Sequence, residues 1–261
     1  MQAEIGIIGG TGVYDPTLLK NVKEIKLRTP YGSPSDAISI GELKGRKIAF
    51  IPRHGKKHTI RPTDINSRAN IHALKKLGVQ RILAPSAVGS LKEEYMPGDT
   101  VIVDQFIDKT TKREQSFYTG KQVCHISVAD PMCPQLRDMF IRTAEDMKIR
   151  YHKTGTYVCI EGPRFSTKAE SKMHRSWGAD IIGMTLVPEC VLAREAEICY
   201  ACIATVTDYD VWKAHMVNAE EVAKTMKQNL NKIKALITET IATLPKGRTC
   251  ECKHALKNAL V

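Results

Sequence analysis

The chain reads as an α/β fold, a sheet covered by helices on both faces, and three observations say so. Short runs rich in β-branched residues fall at 4–8, 47–51, 81–86, 100–106, 156–160, 180–184 and 200–206. Between them lie longer stretches whose apolar residues recur at three- and four-residue spacing, the period of an amphipathic helix. No repeat, low-complexity linker or shift in composition interrupts the 261 residues, and a 43% hydrophobic fraction can fill a substantial core, so residues 1–261 are expected to form a single domain.

Taken in order, the first run ends in Gly9-Gly10-Thr11-Gly12, a turn whose backbone N–H groups can approach an anion while the Thr11 hydroxyl adds a donor. A dinucleotide-binding turn needs a third glycine, and Val13, Tyr14 and Asp15 follow instead. The run at 47–51 is closed by Pro52-Arg53-His54-Gly55, where a guanidinium and an imidazole either serve an anion or sit as a surface pair. A helix predicted over 64–77 leads to the run at 81–86, which passes into the small residues Ser86-Ala87-Val88-Gly89-Ser90 and offers hydroxyls with close backbone approach.

Helices predicted over 134–147, 167–177 and 188–198 separate the later runs. Beyond 200–206, Asp208 and Asp210 stand two residues apart, so extended backbone directs both to one side. Such a pair can hydrogen-bond a purine edge and protonate N7 of a departing base; the plain alternative is a solvated turn. A last helix over about 219–244 repeats Val222, Met226, Leu230, Ile233 and Leu236 along one face. In open α/β folds ligands collect beyond the carboxyl ends of strands, where all of these candidates sit.

Composition narrows the partners. The net charge of +11 is scattered through Lys56-Lys57-His58, Lys75-Lys76, Thr111-Lys112-Arg113 and Lys246-Gly247-Arg248, and aromatics are only 6%, so a nucleic-acid-binding module is poorly supported beside a small anionic substrate. The N-terminus has no basic region before an apolar stretch, and no segment approaches the roughly 18–20 apolar residues of a membrane span, which places the chain in the cytoplasm without a membrane partner. The eight cysteines show neither C-x-x-C spacing nor a neighbouring His cluster, so no metal site is expected. Cys250-Glu251-Cys252 is either a small, strained ring or two tail thiols.

The stretch Glu161-Gly162-Pro163-Arg164-Phe165-Ser166-Thr167-Lys168-Ala169-Glu170, followed by Gly183-Met184-Thr185-Leu186-Val187-Pro188-Glu189, resembles the purine nucleoside phosphorylase and methylthioadenosine phosphorylase family. The Gly-rich turn, Pro52-Gly55, the run from Ser86, residues 104–118 and 207–213 share the resemblance, which covers nearly the whole chain. It implies a mixed, partly barrel-like sheet, and trimers or dimers of trimers in which subunits complete each other's sites. It further implies phosphate held by Thr11, Arg53, His54, Ser86, Ala87 and Thr185, with Met184 beneath the ribose and Phe165 and Ser166 lining the base pocket. Asp208 and Asp210 would bind N7 and the 6-amino group, and His125 would reach the 5' pocket of an adjacent subunit. Asp208, Asp210 and Ser86 are the expected catalytic residues; inorganic phosphate is a co-substrate and no metal or organic cofactor is implied.

The same resemblance makes 5'-methylthioadenosine the expected substrate, because relatives acting on 6-oxopurines typically carry Asn at position 208. Ala219 stands where methylthio-specific relatives more often carry a larger aliphatic residue, while Val222 keeps the wall apolar. Gly183 replaces an Asn found in some methylthioadenosine members. Both departures point toward the alternative of a broad purine nucleoside phosphorylase acting on adenosine, inosine or guanosine. The tail over about 246–261 resembles archaeal members with paired cysteines, implying Cys133 with Cys199 and Cys250 with Cys252.

Overall fold

A computed structural model describes residues 2–10, 18–213 and 218–261. Eleven strands join in one sheet among them. Its centre is β5 (Arg81–Ser90), which pairs in parallel with β1 (Ile5–Gly9) and β11 (Cys199–Asp208) and, at its last residues, antiparallel with β10 (Ile181–Gly183). On one side β1 continues in parallel to β4 (Arg46–Pro52), then antiparallel to β3 (Ile38–Leu43) and β2 (Lys20–Ile25). On the other, β10 runs parallel to β9 (Thr156–Ile160), and β9 to β7 (Gln105–Lys109). The sheet is thus mixed, and β5 is where it branches.

Side-chain alternation explains the helices on both faces. Ile8, Ala49, Ile51, Ile82, Ala84, Tyr200 and Cys202 enter one buried cluster with α1 (Ser67–Lys76) and α4 (Glu189–Glu195). Their neighbours Ile5, Ile7, Ile48, Phe50, Leu83, Ala201 and Ile203 enter the opposite cluster with α2 (Pro134–Asp146) and α5 (Ala219–Thr243). With both faces covered, the central strands read as near-continuous apolar runs rather than as alternating ones.

The structure departs from the expected elements in instructive places. The run at 100–106 is two strands, β6 (Thr100–Ile102) and β7: β6 pairs with β11 and with β8 (Tyr151–His152), whereas β7 pairs with β9. The helix expected from 64 begins at Ser67, because the Asn66 side chain accepts from Ala69 N and caps it there. Thr167 lies outside α3 (Lys168–Ser176) as its cap, in a reciprocal capping box with Glu170. Three strands were not expected: the two-residue β8; β2, a charged edge strand; and β3, where a side chain on Gly41 would collide with the backbone of Lys20 at 2.9 Å.

Candidate active site

A cavity of about 650 Å³ opens at the carboxyl ends of β1, β4, β5, β10 and β11. Arg53, His54, Ser86, Ala87, Phe165, Ser166, Met184, Thr185, Asp208, Asp210, Ala219 and Val222 all line it. Thr11 lies outside the described residues. His125 does not join the cavity within its own chain: it is exposed, and its backbone N–H donates to Ala259 O beside the C-terminus.

Arg53 and His54 are not a surface pair, being 2% and 8% exposed. Arg53 Nε and Nη2 donate to the two Glu189 carboxylate oxygens, each at 2.9 Å, while Nη2 also reaches Ile8 O and Nη1 reaches Pro85 O. Burial opposes the charge, but Glu189 outweighs it and keeps the guanidinium protonated. Four of its five N–H groups are therefore committed, two to Glu189 on α4 and two to carbonyls of β1 and β5. One Nη1 proton remains for the cavity. His54 Nδ1 lies 2.9 Å from Ile60 O, and burial pulls the imidazole down to about 4. A neutral ring that donates from Nδ1 presents Nε2 as an acceptor, which suits a protonated phosphate oxygen.

Ser86 and Thr185 meet across the β5–β10 seam, Oγ to Oγ1 at 3.2 Å, although 99 residues separate them in sequence. At the other end, Asp208 Oδ1 accepts from Asp210 N at 2.8 Å, and Oδ2 lies 2.6 Å from Thr207 Oγ1. Thr207 Oγ1 also lies 3.1 Å from Val88 O. A hydroxyl has one proton: when it goes to Val88, the short contact to Oδ2 is a hydrogen bond only with the proton on Asp208. Burial raises both Asp208 and Asp210, the direction a proton donor needs. Asp210, at φ 47°, is buried with the Ser171 side chain beside its carboxyl, and among the described residues neither its Oδ2 nor Ser166 Oγ makes a hydrogen bond within 3.5 Å. The solvated-turn alternative is thereby excluded. Gly89 leaves room for the carboxyl, since a Cβ there would stand 2.9 Å from Asp208 Oδ1.

The α5 residues Ala219, Val222, Ala223, Met226 and Leu230 fall at helical spacing along one face and close the cavity with an apolar wall. Polar donors at one end, carboxyl groups at the other and hydrocarbon along the side define a slot for an anion, a nitrogen heterocycle and an apolar substituent.

The Phosphorylase superfamily matches residues 4–242 of this sequence. The chain belongs to that family. Among its relatives, the S-methyl-5'-thioadenosine phosphorylase of Nitrosopumilus maritimus is 60% identical over 258 residues, 99% of this chain and 98% of that one. A methylthioadenosine phosphorylase from an antarctic soil metagenomic library superposes with a TM-score of 0.95 at 45% identity, covering 100% of this chain and 93% of the other. The methylthioadenosine phosphorylase of Schistosoma mansoni in complex with adenine superposes with a TM-score of 0.93 at 39% identity, over 98% and 96% of the two chains.

Within the phosphorylase site, three supporting residues have no role assigned from the sequence because each acts on another side chain or on backbone. Glu189 orients Arg53. Arg113 donates from Nη1 to Met184 O and Val187 O and from Nη2 to Glu161 O, tying the β10 and β9 ends together. Glu161 accepts from Thr63 Oγ1, Arg113 Nε and the amides of Thr111 and Lys112; these bonds outweigh burial and hold its carboxyl at about 2. A buried cation facing a run of carbonyls cannot be found from spacing.

The cysteines, all free thiols, come together in a way that their spacing does not announce. Cys133, Cys199, Cys250 and Cys252, all buried, bring their sulfurs within 4.8 Å of one another, with Cys199 to Cys250 at 3.3 Å and Cys133 to Cys250 at 3.6 Å. They come from the cap of α2, the start of β11 and the tail, so no local C-x-x-C pattern exists to be read. Four such sulfurs have the donor chemistry for disulfide bonds or for a thiophilic ion.

Proposed function

We propose that this chain uses inorganic phosphate to cleave the N-glycosidic bond of 5'-methylthioadenosine, releasing adenine and 5-methylthioribose 1-phosphate. The observation that carries the proposal is the buried Asp210 carboxyl, whose Oδ2 makes no hydrogen bond within 3.5 Å among the described residues, beside Asp208 at the opposite end of one cavity from Arg53, Ser86 and Thr185. The relatives named methylthioadenosine phosphorylase support the same substrate.

Phosphate binds between the Arg53 guanidinium, the His54 imidazole, the Ser86 and Thr185 hydroxyls and the Ala87 backbone. Its negative charge stabilises the oxocarbenium-like ribosyl group as the C1'–N9 bond lengthens. Asp208 gives N7 a hydrogen bond or proton, and Asp210 and Ser166 take the 6-amino edge while Phe165 lies against the ring. Phosphate then closes on C1' from the opposite side. Met184 lies under the ribose, and the α5 wall receives the methylthio group. The reaction requires no organic cofactor or metal.

His125 completes the 5' pocket of a neighbouring subunit, so the active form is a trimer or a dimer of trimers. The four clustered thiols pair in oxidised protein as Cys133–Cys199 and Cys250–Cys252, which ties the α2 cap to β11 and closes a small ring within the tail. Equal gel mobility with and without reductant overturns that pairing.

The decisive assay incubates purified protein with methylthioadenosine, adenosine and inosine, with and without phosphate, and follows free base by chromatography. Phosphate-dependent adenine release, fastest from methylthioadenosine, is the expected result. Comparable cleavage of inosine would make the chain a broad nucleoside phosphorylase, and release without phosphate a hydrolase.

A further inference from the structure

Tyr157 takes no place in the mechanism above, yet it is fully buried at the phosphate end. It stands on β9, and its Oη lies 3.3 Å from Ser86 Oγ and accepts from Thr185 N at 3.4 Å. One phenol thus touches two of the residues assigned to the anion, on β5 and just after β10. Gly183 makes room for it: a Cβ at Gly183 would stand 2.0 Å from Tyr157 Oη and 2.5 Å from Cζ. The ring occupies the volume that a side chain at position 183 would fill.

Proton counting gives the contact a direction. Thr185 N–H has one hydrogen and points it at Tyr157 Oη. The phenol, which burial pushes above its ordinary range and so keeps protonated, has its own hydrogen left for Ser86 Oγ. Ser86 Oγ, accepting that bond, turns its hydrogen away from Tyr157, toward Thr185 Oγ1 at 3.2 Å, Ala87 O at 3.4 Å or an anion bound in the cavity. The Thr185 amide is consumed in the same chain, so Thr185 serves the anion through Oγ1.

We infer that Tyr157 is a positioning residue for phosphate, orienting the Ser86 hydroxyl as a donor into the site through a one-way chain from Thr185 N to Tyr157 Oη to Ser86 Oγ, in space that Gly183 leaves open. The inference rests on the phosphorolysis reading. It extends that reading to a residue whose own atoms are shielded from the substrate.

The test is Tyr157→Phe, which removes one oxygen and preserves the ring, compared with wild type by varying phosphate and methylthioadenosine separately. The expected result is a KM for phosphate raised about 10-fold, the scale of one oriented hydrogen bond to a charged ligand, with kcat and the KM for methylthioadenosine within about twofold. Gly183→Ala, whose methyl displaces the phenol, is expected to show the same phosphate-selective defect. An unchanged phosphate KM in Tyr157→Phe overturns the inference, as does a parallel loss in kcat and both KM values that tracks a lowered Tm. A second readout needs no turnover: phosphate should raise the Tm of wild type at concentrations about 10-fold below those required by Tyr157→Phe. If wild type releases no base the phosphorolysis reading falls alone, whereas equal phosphate protection in both proteins defeats the role of Tyr157.

Discussion

The two ends of the cavity are built on opposite plans. At the phosphate end nearly every polar group already has a protein partner: Arg53 holds Glu189, Ile8 O and Pro85 O, His54 faces Ile60 O, and Ser86 and Thr185 face each other. At the purine end, buried polar atoms wait: among the described residues Asp210 Oδ2 and Ser166 Oγ make no hydrogen bond within 3.5 Å. A buried polar atom without a partner costs roughly 1–3 kcal/mol, a cost that a ligand able to supply the missing bond relieves. The first end is preorganised for an anion of one shape; the second keeps the unmet demand that distinguishes one base from another.

The largest expected effect breaks the purine end. Asp208→Ala should lower kcat on the order of 10²–10⁴-fold, the range for one general acid, while the KM for phosphate stays near wild type in steady-state kinetics. A change confined to the phosphate KM would erase the division between the two ends.

Next comes the framework of the phosphate end. Glu189→Ala strands the Arg53 guanidinium, whose partner is itself 1% exposed, and should reduce unfolding free energy by about 3–5 kcal/mol in a urea titration. A loss below about 1 kcal/mol would show that the cation finds water instead.

The smallest effect is a pH dependence. His54 is lowered from 6.5 to about 4, so between those values the unfolded chain binds the proton that the folded chain refuses. Stability is therefore complete above about pH 6.5 and falls as pH drops toward 4, by up to about 3 kcal/mol from this residue. Urea unfolding of wild type and His54→Gln at several pH values in that window should show a flatter profile for the variant. Parallel profiles would mean the imidazole is protonated in place.

Much of this design was legible in the chain. The apolar runs marked seven segments of sheet because buried central strands need hydrocarbon on both faces, and the unusual residues followed those runs because strand ends are where backbone turns away from its ladder. The split at Ile102 was not legible, since β6 and β7 differ only in which distant strand each one meets. Nor was the edge strand β2, whose Lys and Glu side chains face solvent.

By itself, then, the sequence determined the α/β class, the resemblance carried by Glu161-Glu170 and Gly183-Glu189, and the identity of the residues around the cavity, because local periodicity and motif spacing are written along one dimension. Only the tertiary structure decided which of them meet. Glu189 with Arg53, Tyr157 with Ser86 and the four sulfurs from α2, β11 and the tail are contacts between segments 51 to 136 residues apart. Such partners are chosen by the packing of a closed core, where every buried charge and hydroxyl must find whatever group the fold sets beside it.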